Sequence, residues 1–264
     1  MSSELATRAE PLTGDSKDNS SLWPAGTSGS VRTIEPTASF WFSMLAASAL
    51  GTNLGDYWTD ELSLGLGAAF ILMAVISVAA MASDRRLSRR TEVFYWIAIV
   101  TLRAAATNIA DFLTHEHAIS FLLVASAFGV VAIVAATTTL RGGERSGSPN
   151  IDGRYWATMF FAGMFGTAGG DLTSLTIGLQ SAAALLGFVL LAVLAARYAF
   201  ARKSILAYWF VILAERATGT PVGDFLQGDD GLRLGLPVSM ACTGALLLAG
   251  LLAHRHYSKK AVGK

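Results

Sequence analysis

The chain has 264 residues, 53% hydrophobic and only 15% charged, with a formal net charge of +1 and a mean hydropathy of +0.49. A soluble domain carries about a quarter charged residues, so an ordinary soluble globular protein is excluded. Its one cysteine, Cys242, excludes an internal disulfide and a thiolate metal cluster; it reads as a small buried apolar residue.

Residues Met1 to about Pro36 are rich in Ser, Thr, Gly and charge and lack any apolar core. They read as a disordered cytoplasmic tail (1–36), not a signal peptide or a domain, with Trp23-Pro24 its one apolar spot. From Phe40 onward the chain writes one stretch four times. Each copy has an aromatic and a Trp, then a Thr 11 residues after the Trp, then an Asp 4 residues after the Thr. The copies are Phe40-Trp41, Thr52, Asp56; Tyr95-Trp96, Thr107, Asp111; Tyr155-Trp156, Thr167, Asp171; and Tyr208-Trp209, Thr220, Asp224. A small residue precedes every Thr and every Asp. The Trp residues recur at intervals of 55, 60 and 53 residues, the mark of an internal repeat.

Each copy is followed by an apolar run of about twenty residues, the length a membrane-spanning helix needs: Leu62–Ala82, Ala118–Leu140, Ser174–Ala196 and Leu232–Ala253. Two helices per repeat predict an all-α membrane protein. It has eight transmembrane helices from four parallel two-helix repeats (about 38–82, 93–140, 153–197 and 206–254) within a membrane domain spanning 37–254. A basic cytoplasmic tail, 255–264, follows. The first helix of each repeat is expected to run from the aromatic pair to the Asp.

The basic residues set the orientation. Arg85, Arg86, Arg89, Arg90, Arg141, Arg145, Arg154, Arg197, Arg202 and Lys203 lie between repeats; Arg255, Lys259, Lys260 and Lys264 lie in the last tail; Arg8, Lys17 and Arg32 lie in the first. These are 17 of the 20 Lys and Arg, all on one side of an eight-span arrangement. The connections within repeats carry Asp60, Glu61, Glu116, Asp229 and Asp230 against Arg233. Basic loops stay in the cytoplasm, which places both termini there and the Trp residues at the inner interface.

At ~100° per residue, the Trp, the residue seven later (Ser48, Arg103, Gly163, Arg216), the Thr and the Asp share one helical stripe. The Asp stands ~22 Å along the axis from the Trp. A carboxylate facing lipid costs ~2.5–3.5 kcal/mol, so the four Asp are expected to face each other, a cavity or bound cations, with Arg103 and Arg216 turned inward beside them. Glu215 lies off the stripe. The Arg in the second and fourth copies suggests pairing of repeats 1-2 with 3-4. Plainer roles are available. The small-x-x-x-small pattern packs membrane helices. Thr can bond its own carbonyl one turn back, and Asp can cap the second helix. Trp can anchor at the interface or wall a cavity, and Arg103 and Arg216 can merely neutralise Asp.

His115 and His117 flank Glu116 in the second acidic connection, where they could bind a metal, sense pH or simply be solvated; His254 and His256 carry a weaker signal. No Lys lies within a span, which excludes a retinal Schiff base, and the basic loops are too short to suggest nucleic-acid binding. No nucleophile–base constellation can be named, so no enzyme is expected.

Four tandem two-span repeats with Trp41, Trp96, Trp156 and Trp209, each followed by Thr-x-x-small-Asp, resemble a family of bacterial integral membrane proteins described as a repeat of unknown function. The likeness runs from about Ser39 to His254. It implies a multi-pass protein of the bacterial inner membrane and no established activity. The residues point to a transporter or channel for a cation, either a hard metal ion such as Mn²⁺, Mg²⁺ or Ca²⁺ or a proton-coupled one. Asp56, Asp111, Asp171 and Asp224 are the expected ion or metal ligands. Thr52, Thr107, Thr167 and Thr220 add hydroxyls, Arg103, Arg216 and Glu215 set the charge, and the four Trp are candidate wall residues. A bound divalent cation is the one cofactor that fits. Lipid and a small cation or solute are the expected partners, with a homo-oligomer compatible. The alternatives are a proton-coupled transporter of a small organic solute, and a non-transport sensor or scaffold.

Overall fold

The computed structural model describes residues 34–87, 92–140 and 147–262. The expectations for most of the first tail, for Arg89, Arg90, Arg141 and Arg145, and for the last two residues lie outside these ranges. Eight α-helices run through them: α1 (Ala38–Asp56), α2 (Leu66–Leu87), α3 (Val93–Asp111), α4 (Phe121–Thr138), α5 (Gly153–Ile177), α6 (Leu179–Phe200), α7 (Ile205–Gln227) and α8 (Gly235–Val262). Among the described residues there are no strands.

Local chemistry sets the helix starts. The Thr37 hydroxyl accepts from the Phe40 N–H, the Asp152 carboxylate from those of Arg154 and Tyr155, and the Ser204 hydroxyl from that of Ala207. Each caps an inner helix just ahead of its aromatic pair, satisfying N–H groups that the helix cannot. In repeats 1 and 2 the α-helix ends at the Asp, as expected; in repeats 3 and 4, a correction, it runs past it. α1 and α3 continue into π-helical turns, Tyr57–Glu61 and Phe112–Glu116, while α5 and α7 run on to Ile177 and Gln227. The Asp residues therefore cap nothing: α2, α4, α6 and α8 begin at Leu66, Phe121, Leu179 and Gly235, well beyond them. A single residue, Gly178, links α5 to α6 at φ +85, a left-handed conformation that glycine adopts without strain.

The first helices of the repeats, α1, α3, α5 and α7, form an inner ring in which each touches the next and α7 returns to α1. Each second helix lies outside and packs on the first helix of the following repeat: α2 on α3, α4 on α5, α6 on α7, and α8 back on α1. The arrangement is a closed cycle of four rather than two separate pairs. Five helices, α2, α3, α4, α6 and α8, are long and apolar enough to cross a membrane. Their burial differs. The apolar window of α3 is 72% buried, while those of α2, α4, α6 and α8 are 11–28% buried. The outer helices expose large apolar side chains such as Val78, Leu123, Phe188 and Leu252, a surface suited to hydrocarbon. α1, α5 and α7 fall short in hydropathy because their positions face the inside of the ring, where Gly, Ser and Thr allow close approach. Cys242 lies on the exposed face of α8, a correction: an outer helix has no core on that side to bury it.

Candidate ion site on the repeat axis

The four copies of the repeat stack in layers along the ring axis, one layer per four residues, so each layer is ~6 Å from the next. The first holds the aromatic pairs. Trp96 packs on Phe40, Trp156 on Tyr95, Trp209 on Tyr155 and Trp41 on Tyr208, with ring centroids 5.3–6.0 Å apart. The hydroxyls of Tyr95 and Tyr155 are 2.6 Å apart and those of Tyr155 and Tyr208 3.2 Å apart. The Trp residues are 2–6% exposed. They are therefore not interface anchors, and they do not line the cavity described below. Ring closure buries them instead, because each indole covers the aromatic of the preceding repeat. Arg197 covers this end, its guanidinium 5.5 Å from the Trp41 ring centroid and donating to the Gly147 and Arg202 carbonyls.

The next layer is Met44, Ile99, Met159 and Ile212, all fully buried. The sequence reading passed over it because Met and Ile in an apolar helix carry no distinguishing chemistry; their common register, three residues after each Trp, was the available signal. The third layer holds Ser48, Arg103, Gly163 and Arg216. Close packing explains its small residues: a Cβ on Gly163 would stand 2.7 Å from that of Ala106, and a Cβ on Gly219 would collide with Ser48.

Arg103 crosses the axis. Its Nη1 donates to the Gly163 carbonyl (2.6 Å) and the Thr167 hydroxyl (2.7 Å), and its Nη2 to the hydroxyls of Thr52 (3.1 Å) and Thr220 (2.5 Å). Thr107, from the arginine's own repeat, pairs with Thr167 at 3.2 Å. The Thr hydroxyls, expected as ion ligands, thus form a ring around one guanidinium; Thr52 also bonds its own helix at the Ser48 carbonyl. Arg103 does not neutralise the Asp residues by direct pairing, and nor does Arg216. Arg216 Nε lies 3.5 Å from Glu215 Oε2, and its Nη2 approaches Met159 Sδ at 3.7 Å. Glu215, off the stripe in sequence, is nonetheless buried beside it.

The axis opens at the last layers. One cavity of about 500 Å³ is lined by Asp56, Asp111, Asp171 and Asp224 together with Thr52, Thr107, Thr167 and Thr220. His115 and Phe121 stand at its edge, and His115 Nδ1 is 3.8 Å from Asp111 Oδ1. His117 turns away to the Phe112 carbonyl and ring. Gln227, three residues after Asp224, donates to Asp56 (2.9 Å) and Asp224 (3.3 Å), joining the fourth repeat to the first. A neighbouring cavity of about 400 Å³ shares Asp60 and Asp224 and adds Glu61, Asp229 and Asp230, so the approach is acidic. Among the described residues no three His, Cys, Asp or Glu stand close enough to hold a metal ion. The four carboxylates surround a space rather than a point.

The first and last repeats, residues 39–89 and 207–260, match the family described as Repeat of Unknown Function (DUF347). These two segments are DUF347 repeats. The matched residues include the first and fourth Trp, Thr and Asp, which the ring brings side by side: Trp41 packs on Tyr208, and Gln227 spans Asp56 and Asp224. The second and third copies of the motif lie outside the matched residues and are recognised by the register of their Trp, Thr and Asp and by their equivalent places in the ring. No curated protein and no solved structure matches the chain.

Proposed function

We infer that the chain is a membrane carrier for a small cation, binding it in the cavity walled by one Asp from each repeat. That convergence is the observation that supports the reading, since a lipid-facing placement of four recurrent acids would have removed it. Eight spans follow if the inner helices cross alongside the five apolar ones. The basic residues at the aromatic end favour that end, with both termini, as cytoplasmic, and the acidic cavity as opening to the other side. The family resemblance favours a bacterial inner membrane.

The cavity size and the spread of the carboxylates suit a hydrated hard cation, such as Mg²⁺ retaining waters, better than a bare ion held by protein oxygens alone. Below the cavity lie Arg103, the Met/Ile layer and the aromatic layer, so the axis has no open path, which favours a carrier over a channel. A solute pocket walled by Trp has no support, because the indoles pack elsewhere.

Liposomes containing the purified protein and a Mg²⁺-sensitive dye test the reading. Uptake above protein-free liposomes, lowered at least about tenfold by Asp171→Asn and by Asp111→Asn in folded protein, is expected. Equal uptake by the parent and all four Asp→Asn chains would remove the Asp cavity from the mechanism.

A further inference from the structure

The Glu215–Arg216 pair of α7 is sealed inside the protein and does not line the cation cavity. The two side chains are 1% and 2% exposed, yet they are poorly matched. Arg216 Nε stands 3.5 Å from Glu215 Oε2, longer than the contacts of a tight Arg–carboxylate pair. Neither Glu215 oxygen has a hydrogen-bond partner, and nor do Arg216 Nε and Nη1. The Ser48 hydroxyl of α1 lies nearby without completing a bond of ordinary geometry. Buried polar atoms are nearly all paired, and a carboxylate inside a membrane span is costly. Pairing with Arg216 therefore does not account for a carboxyl left this bare. A proton on one of its oxygens is a ligand that removes the charge and needs no room in a close-packed layer.

The charged groups that bear on Glu215 are Arg216 beside it and Arg103 from α3. Tyr208 lies two turns inward on the same face of α7, its hydroxyl paired with that of Tyr155. Of the other helices packed on α7, α4 has no charged residue, and α1 has only Asp56, in the cavity layer. Those of α5, α6 and α8 (Arg154, Asp171, Arg197 and the run from His254) stand at helix ends or in the cavity layer.

Resting on the carrier reading above, we propose that Glu215 is the proton-binding group of a cation/proton exchanger, separate from the four Asp that hold the cation. In the cation-free protein Glu215 is a neutral acid, and Arg216 and Arg103 are the positive charges beneath an empty acidic cavity. A divalent cation among the Asp lies nine residues, ~13 Å, further along α7. Its field favours the ionised carboxyl: Glu215 releases its proton to solvent, and the carboxylate left behind pairs with Arg216. At an effective dielectric of about 20, a double charge at ~13 Å couples the two ligands by at least about tenfold. The coupling is reciprocal, so a proton on Glu215 weakens cation binding by the same factor. Proton and cation exclude one another from separate sites, with no side chain crossing between them.

Proton release measures this directly. Purified full-length protein in weakly buffered detergent solution is titrated with Mn²⁺, bound Mn²⁺ being read by electron paramagnetic resonance and released protons by a pH-indicator dye. The parent should release about one proton more per bound Mn²⁺ than Glu215→Gln, which cannot ionise there. In liposomes with an acidic lumen, the pH gradient should speed Mn²⁺ uptake by the parent and leave Glu215→Gln unaffected. Glu215→Gln leaves the Arg216 charge unpaired, so Glu215→Gln/Arg216→Gln, which removes both charges, carries the same test if the single variant does not fold. A merely structural role for Glu215 would change stability and leave the proton count untouched. Equal proton release per Mn²⁺ in parent and variants would overturn the Glu215 site while leaving the carrier reading in place. Absence of Asp171-dependent Mn²⁺ binding in every chain would overturn both.

Discussion

Gly51 of the first repeat lies so close to Arg103 of the second that a Cβ on the glycine would stand 2.6 Å from the arginine's Cβ and Cγ. Gly166 stands equally near the Arg216 backbone. In both cases the small residue before the Thr is what lets neighbouring inner helices touch, and the obstacle includes groups at or near the backbone that cannot swing away. Gly51→Ala and Gly166→Ala should each cost about 1–3 kcal/mol by overpacking, read as a lower midpoint of thermal unfolding in detergent. Gly187→Ala and Gly244→Ala, where a Cβ meets nothing within 4 Å, should be neutral or stabilise by up to about 1 kcal/mol through helix propensity. Equal effects at all four sites would refute the close-approach account.

The hydroxyl of Tyr155 sits between those of Tyr95 and Tyr208. Phe40 fills the fourth place in the same ring, so the layer accommodates a ring without a hydroxyl. Tyr155→Phe should therefore fold, but it breaks two buried hydrogen bonds at a net cost of roughly 1–3 kcal/mol. Chemical denaturation of the detergent-solubilised protein measures this. No loss would mean that the hydroxyls contribute nothing beyond the packing of the rings.

These two sites show what the sequence made legible. A period of four recurring Trp, Thr and Asp residues sufficed to place one stripe inward and gather the Asp around a cavity, because a charge in hydrocarbon has few alternatives. The closed order of the ring was not legible. It is decided by which indole covers which neighbour, as Trp41 does Tyr208, and that is a contact between positions far apart in the chain. The partners of Arg103 were hidden for a related reason. Spacing shows that a guanidinium points inward, but whether the Thr hydroxyls or the Asp carboxylates one turn further on receive it depends on how far the side chain extends along the axis. Helix ends were misread because the Asp looks like a cap, while α5 and α7 continue past it with their backbone bonds intact.

Gln227 joins the fourth repeat to the first by donating from one Nε2 to both Asp56 and Asp224. Gln227→Ala leaves two acids of adjacent repeats facing one another with no shared donor. The cation-free protein should then lose about 1 kcal/mol. Added Mg²⁺ should restore more stability than it adds to the parent, because a bound cation takes over the bridging. Thermal midpoints with chelator and with excess Mg²⁺ check this, and an identical Mg²⁺ response in both chains would argue against cation binding at that edge of the cavity.

Asp152 offers a pH-dependent contribution outside the spans. Partial burial pushes its carboxyl upward, but the N–H groups of Tyr155 and Arg154 and the Arg154 guanidinium, 2.9 Å away, outweigh that and hold it below the ordinary carboxylate value. A group whose folded value is depressed stabilises the fold above its unfolded value, about 3.9 for Asp, and that contribution disappears as pH falls through the lower folded value. Asp152→Ala removes the cap of α5 and should cost about 1 kcal/mol at neutral pH. As the pH falls through the depressed folded value the gap between parent and variant should shrink, because the parent's protonated carboxyl no longer accepts both N–H groups as an anion. Unfolding midpoints of the two chains, followed from pH 7 downward, should therefore converge. A constant gap across that range would show that the cap acts through the neutral hydrogen bond or through packing rather than through its charge.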